Sequence, residues 1–86
     1  MQAPALKELL ESRIPACEFI VKGDDGRHFE VIAIGEVFAT LPSPVKKQQL
    51  VFSALSEEFA SDQLHAMALK TYTPEQWVKV KDLQVL

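Results

Sequence analysis

The sequence predicts an α/β fold in the order α-β-β-α-β-α, on the basis of three observations. Apolar residues recur at helical spacing in two segments, whereas three other short runs are rich in β-branched and apolar residues. The segment GDDG at 23–26 separates the first two of these runs, and Gly and Asp favour a hairpin turn there. A long helix is predicted between the second and third strands, and such a crossover makes two neighbouring strands parallel.

Length and composition restrict the possible class of protein. The chain has 86 residues, of which 48% are hydrophobic and 24% charged, so residues 1–86 are expected to form one globular domain. No apolar run approaches the ~20 residues that cross a bilayer, and residues 1–13 lack a signal-peptide pattern, so we expect a cytoplasmic protein with no membrane contact. The net charge of −3 argues against binding nucleic acid by bulk electrostatics. A single cysteine excludes an internal disulfide.

The first three elements follow from periodicity and turn residues. A helix is predicted in residues 4–13, because its leucines lie on one face: Leu6, Leu9 and Leu10. CEFIVK at 17–22 and RHFEVIAIG at 27–35 read as the two strands of the hairpin. Alternation in the second strand places one set of side chains on a single face: Phe29, Val31 and Ala33.

The second half of the chain gives the longest helix, the third strand and a short final helix. Ser43 is the predicted N-cap of a helix that continues to about residue 60, with Pro44 in its first turn. The apolar stripe of this helix is Val45, Phe52, Leu55 and Phe59. LHAMALKTY at 64–72 is the third strand. Thr73 and Gln76 form a capping box for the last helix, which Tyr72 and Trp77 are expected to hold in place.

The two histidines of the chain stand at the starts of strands. His28 begins the second strand and His65 begins the third, so parallel pairing would bring both to the same edge of the sheet. Cys17 begins the antiparallel first strand and is expected at the far end, about 15 Å away for five residues at strand rise. The imidazoles can therefore converge, whereas the thiol is expected to lie apart from them.

Three segments in order, GDDGRHFEVIAIGEVF, KKQQLVFSAL and LHAMALKTYTPEQW, resemble the BolA family of small cytosolic proteins. The resemblance spans residues 5 to 78 and is closest to the branch with a histidine in the hairpin loop. It implies a fold like the type II KH domain, with helices packed on one side of a three-stranded mixed sheet. It also implies partnership with monothiol glutaredoxins in iron–sulfur cluster handling and, for some members, transcriptional regulation. The family's C-terminal histidine corresponds to His65, and its loop ligand position corresponds to His28.

The chemistry of imidazole is compatible with this assignment. A 2Fe–2S cluster takes four ligands, and mixed histidine and cysteine ligation of such clusters is known. His28 and His65 would supply half of the set, and a monothiol glutaredoxin with its bound glutathione would supply two thiolates. The alternative is structural, because a lone histidine at a strand end most often bonds a nearby backbone carbonyl.

A second function remains open from the sequence, namely a DNA-binding regulator that uses the KH-like surface. Its candidate phosphate contacts are Lys46, Lys47 and Lys70, although the simpler interpretation is a solvated helix turn. A G-x-x-G loop between helices, typical of KH domains that bind nucleic acid, is missing, since GDDG lies in the hairpin. No Ser-His-Asp set, phosphate loop or nucleotide fingerprint occurs, so an enzyme is not expected.

Overall fold

The computed structural model describes residues 1–83. This part of the chain contains four α-helices and three β-strands, with one short 3₁₀ helix after the second strand and another after the last α-helix. In chain order the elements are α1 (Ala3–Arg13), β1 (Glu18–Lys22), β2 (His28–Ile34), α2 (Pro44–Ser53), α3 (Ser56–Ala60), β3 (Ala66–Tyr72) and α4 (Pro74–Val80). The predicted mixed α/β class is confirmed.

The three strands form one mixed sheet in the order β1-β2-β3. β1 pairs antiparallel with β2, with Lys22 opposite Glu30 and Glu18 opposite Ile34. β2 pairs parallel with β3, and its first residue, His28, lies opposite Ala66. The helical crossover between β2 and β3 therefore gives the parallel pair that the sequence predicts.

Local sequence determines where several of these elements begin. The hydroxyl of Ser43 accepts a hydrogen bond from the Lys46 N–H at 3.3 Å and caps α2, and Thr73 forms the predicted capping box with Gln76. In the hairpin turn Gly26 has a φ of 75°, a left-handed conformation that favours glycine. The capping and turn residues of the sequence thus occupy the helix starts and the hairpin turn that they predict.

One face of the sheet packs against α1, α2 and α3 to form the core, whose members come from every one of these elements. The buried members include Leu6, Leu10, Phe19, Phe29, Val31, Ala33, Phe38, Val51, Leu55 and Leu64. Phe59 of α3 and Met67 and Leu69 of β3 are partly buried and pack against them. On the opposite face Ile32 and Ile34 are only 4% and 6% exposed, whereas His28 and Glu30 at the start of β2 are exposed. This face, which we call the open face, is therefore apolar and covered at the Ile34 end, and polar and exposed at the end that carries His28.

The prediction of a single long helix that continues to about residue 60 is wrong, because this segment forms two helices, α2 and α3. At the break, the N–H groups of Ala54 and Leu55 bond carbonyls three residues back, at 3.2 and 3.0 Å. Arg13 donates to the carbonyl of Ala54 at 2.7 Å and forms two hydrogen bonds with Glu58, at 2.6 and 3.0 Å. This tertiary contact diverts a carbonyl from the helical ladder, which a pattern read from one segment cannot show.

Two further expectations about packing have different outcomes. Val45 is 63% exposed, so its place on the predicted apolar stripe is wrong; it lies in the first turn of α2, ahead of the part that reaches the core. Tyr72 and Trp77 do hold α4 against β3, with ring centroids 5.6 Å apart.

In the described part of the chain, no helix combines the length and apolar character needed to span a bilayer.

Candidate functional site

The starts of β2 and β3 meet at one end of the sheet, which we call the histidine end. His28 is the first residue of β2, and His65 immediately precedes β3. The carbonyl of Arg27 accepts hydrogen bonds from the N–H groups of both His65 and Ala66, each at 3.3 Å. The backbone thus brings the two histidines to the same end of the sheet, as the sequence predicts, although their adjacent register positions direct the two imidazoles to opposite faces.

Asp25 organises the turn and the imidazole of His28. Its Oδ1 accepts the N–H groups of Arg27 and His28, both at 2.9 Å, and its Oδ2 lies 2.8 Å from His28 Nδ1. These hydrogen bonds, led by the one from the His28 N–H, hold the pKa of Asp25 far below its usual range. An ionised carboxylate only accepts, so the ring proton of His28 is on Nδ1 and its Nε2 is left as an acceptor or ligand.

His65 has different neighbours. The side chain is 36% exposed, and its Nδ1 lies 3.6 Å from the carboxylate of Asp62. Its Nε2 contacts the guanidinium nitrogen Nη2 of Arg27. Because guanidinium can only donate, Nε2 of His65 is the acceptor in this contact. The two imidazoles are therefore held by different partners, one by a carboxylate and the other by a cation.

A shallow groove of about 580 Å³ runs along the open face beside His28. Lys22 and Asp25 line its hairpin side, and Ala66 and Ala68 form its floor. The short alanine side chains leave space above β3 at this end of the sheet. His65 does not line the groove, because adjacent register positions point to opposite faces of a pleated sheet.

The histidine end is incomplete as a metal site by itself. Within residues 1–83 there is no group of three or more His, Cys, Asp or Glu side chains arranged to hold a metal ion. Two imidazoles are a partial ligand set for zinc or for an iron–sulfur cluster. Any cluster held here therefore needs donors from a second molecule.

Cys17 lies outside the site, as the sequence predicts. It is 6% exposed, and burial raises the pKa of its thiol. It packs beside Gly35, where an added Cβ would lie 2.6 Å from the sulfur. Gly35 is seven residues along β2 from His28, which is roughly 23 Å at strand rise and farther than the expected 15 Å.

The three lysines proposed for nucleic-acid contacts do not share one surface. Lys46 and Lys47 occupy the first turn of α2, in the helical layer. Lys70 is on β3 and lies opposite Ile32 of β2. Its neighbour Leu69 packs against the core, so the Lys70 side chain projects from the open face. No continuous basic patch joins these three residues.

Two residues of the site are absent from the sequence-based set of candidates. Asp25 bonds N–H groups two and three residues ahead, a pattern that its place in a GDDG turn could have indicated. Arg27 gave no such signal, because its contact with His65 joins residues 38 positions apart. Only the parallel register of β2 and β3 shows that Arg27 lies beside His65.

Known proteins are similar to this chain over most of its length. The family model described as "BolA-like protein" matches residues 5–76. The chain belongs to the BolA family. The acid stress protein IbaG of Escherichia coli K12 is 40% identical over 83 residues, which cover 96% of each chain.

Solved structures, among them a BolA homologue, share the fold of this BolA-family chain. A BolA homologue from Coxiella burnetii is 30% identical, with a TM-score of 0.79 over 91% of this chain and 97% of its own. Yeast Fra2 is 27% identical, with a TM-score of 0.73 over 100% of this chain and 96% of its own. These matches extend over nearly the whole chain, so the similarity includes both strands that carry the histidines.

Proposed function

We propose that this BolA-family protein is an adaptor that pairs with a monothiol glutaredoxin and shares a 2Fe–2S cluster with it. The observation that carries the proposal is the meeting of His28 and His65 at adjacent register positions, at an exposed end of the sheet. Both side chains are accessible, with 65% and 36% of their surface exposed. The adaptor role, rather than an enzymatic one, is part of the proposal.

The donor chemistry of the two residues fits such a cluster. His28 donates Nδ1–H to Asp25, which orients the ring and leaves Nε2 available for an iron atom. His65 immediately precedes β3 and projects from the opposite face of the same sheet end, so a cluster shared by both rings would lie across the strand ends. Imidazole ligation would give the cluster a higher reduction potential than ligation by four thiolates.

The need for a thiol-bearing partner follows from the number of donors. The single cysteine is buried at the other end of the sheet, so this chain offers imidazoles but no accessible thiolate. A monothiol glutaredoxin with bound glutathione would provide the two missing donors. Membership in the BolA family supports this choice of partner.

Regulation by DNA binding remains the alternative function for this chain. The separation of Lys70 from Lys46 and Lys47 does not favour it, because phosphate neutralisation depends on clustered cations. Sequence-specific retardation of duplex DNA by the purified protein at physiological salt would support it. Binding that disappears between low and physiological salt would instead indicate non-specific charge.

The proposal is tested by mixing the protein with a cluster-loaded monothiol glutaredoxin homodimer. We expect conversion to a one-to-one heterodimer, measured by light scattering after size exclusion, together with a changed visible spectrum because nitrogen donors replace thiolates. An apo glutaredoxin, mixed in the same way, is the matched control for association without the cluster. A homodimer that keeps its mass and spectrum at excess of this protein would contradict the proposal.

A further inference from the structure

Arg27 and His65 are held together by backbone as well as by side-chain contacts. The Arg27 carbonyl accepts the His65 N–H at 3.3 Å, so the two residues lie opposite each other in register. Their side chains consequently project from the same face, and the Arg27 guanidinium contacts Nε2 of His65. This contact is therefore built into the strand pairing.

The contact determines which nitrogen of His65 carries the proton. A guanidinium has five N–H donors and no acceptor, so Nε2 must present its lone pair to Arg27. The ring proton is then on Nδ1, which faces the Asp62 carboxylate at 3.6 Å. A metal ion binds a neutral imidazole through the same kind of lone pair that Arg27 already occupies.

His28 does not have this restriction. Its ring uses Nδ1 for the Asp25 carboxylate, and its Nε2 has no hydrogen-bond partner within the described residues. The two histidines of the histidine end are thus unequal in the free protein. One has an available nitrogen, and the other has its nitrogen covered.

We propose that Arg27 is a positioning residue that locks His65 in the free protein and must be displaced before His65 can bind metal. This inference rests on the proposed function only for the identity of the metal group. When displaced, the guanidinium keeps its positive charge. This charge repels a metal ion that arrives alone, whereas the thiolates of a partner's site attract it, so the lock disfavours adventitious metal and permits loading in the complex.

The test uses the free protein and Ni²⁺ alone, without glutaredoxin. The variant Arg27→Met keeps most of the apolar stem but removes the donor, and Lys70→Met removes the same charge from β3 outside the groove as a control. Two quantities are measured for each: the tautomer of His65, from long-range proton–nitrogen NMR of the ring, and the affinity for Ni²⁺, from calorimetry. The same affinities are measured in a His65→Ala background.

We expect the wild-type His65 ring to be protonated at Nδ1 and unprotonated at Nε2, and Arg27→Met to disturb this state. Loss of one charge-assisted hydrogen bond should raise Ni²⁺ affinity about tenfold in Arg27→Met. Lys70→Met should behave as wild type, and the gain should vanish in the His65→Ala background. Arg27→Lys, which keeps a charged donor, should retain most of the lock, and Arg27→Leu, which also lacks a donor, replaces the methionine variant if that variant folds poorly.

An unchanged His65 tautomer with unchanged or weaker Ni²⁺ binding in Arg27→Met would overturn the lock. The same gain in Lys70→Met would also overturn the lock, because the effect would then be general electrostatics. Neither readout involves the glutaredoxin complex. A failed cluster assignment therefore leaves this result intact, and a failed lock leaves the cluster assignment open to its own test.

Discussion

The histidines and the cysteine of this chain lie at opposite ends of the sheet, and they differ in exposure. At the histidine end, the side chains of His28 and His65 are exposed and held by polar neighbours, Asp25 and Arg27. At the other end, Cys17 is buried against Gly35 and belongs to the hydrophobic core. A soft thiol is therefore covered, and two imidazoles are accessible.

This difference shows that the type of residue does not by itself make a site. Cys17 is a good ligand by chemistry, but burial disfavours its thiolate, which is the form that binds metal. His28 has a carboxylate that orients it and a nitrogen that is left available. Accessibility and the hydrogen bonding of the side chains therefore distinguish the histidine end of the sheet from the end that buries Cys17.

The largest expected effect on stability is at the end of the sheet that buries Cys17, which we call the packed end. Gly35→Ala would place a Cβ 2.6 Å from the Cys17 sulfur and 3.2 Å from the Ala16 carbonyl oxygen. We expect a loss of about 1–3 kcal/mol in the free energy of unfolding through overpacking. In a Cys17→Ala background the loss should be smaller, and urea denaturation of the four proteins of this cycle measures the coupling. Equal losses in both backgrounds would show that the sulfur is not the obstacle.

At the histidine end, Asp25→Asn should lower the affinity of the heterodimer for the cluster about tenfold, the range typical of a residue that orients a metal ligand. The amide nitrogen would face His28 Nδ1 in place of a carboxylate oxygen and would favour the proton on Nε2. Competition with an iron chelator measures the change. Asp24→Asn, with the same change of charge one residue away, is the control and should bind as wild type. Equal weakening in both variants would indicate a general charge effect.

Cys17→Ala tests whether the thiol at the packed end contributes to packing only. We expect a loss of about 1 kcal/mol in the free energy of unfolding, because one buried atom is removed. Cluster content of the heterodimer should not change, since the thiol lies at the opposite end of the sheet from His28. A Cys17→Ala heterodimer that forms without a cluster would refute the contrast between the two ends.

The smallest expected effect concerns the ion pair that joins α1 to α3, outside the histidine end. The hydrogen bonds from Arg13 lower the pKa of Glu58, so the folded state releases this proton more readily than the unfolded state. The resulting stabilisation is present above the ordinary glutamate range and is lost as pH falls through the lowered value. Thermal midpoints between pH 6 and 3 should therefore decrease more for wild type than for Glu58→Gln. The exposed neighbour Glu57→Gln should follow wild type, and parallel curves for Glu58→Gln and wild type would exclude the linkage.

Much of the fold could be predicted because local signals agree with the tertiary structure. The caps at Ser43 and Thr73, the glycine turn at 23–26 and the parallel crossover all appear as expected. The break between α2 and α3 could not be predicted, because Arg13 reaches a carbonyl 41 residues away and no Pro or Gly marks the bend.

The site divides in the same way. The positions of His28 and His65 follow from strand order, since both residues begin parallel neighbours. Their neighbours differ in how visible they are in the sequence. Asp25 acts within the turn and has a local pattern, whereas Arg27 meets His65 only through long-range register. Pairings between distant segments are the part of the site that a single sequence does not reveal.

The most direct test of the account is the cluster content and visible circular dichroism of the glutaredoxin heterodimer for His65→Ala, His28→Ala and the Cys17→Ala control. We expect His65→Ala to fold normally but to lose most of the cluster, since a half-exposed histidine beside the strand adds little packing. His28→Ala should lose less, because another donor in the exposed turn can replace it, and the control should match wild type. A His65→Ala heterodimer that holds the cluster with an unaltered spectrum would contradict the account, and His65 would then be a structural histidine only.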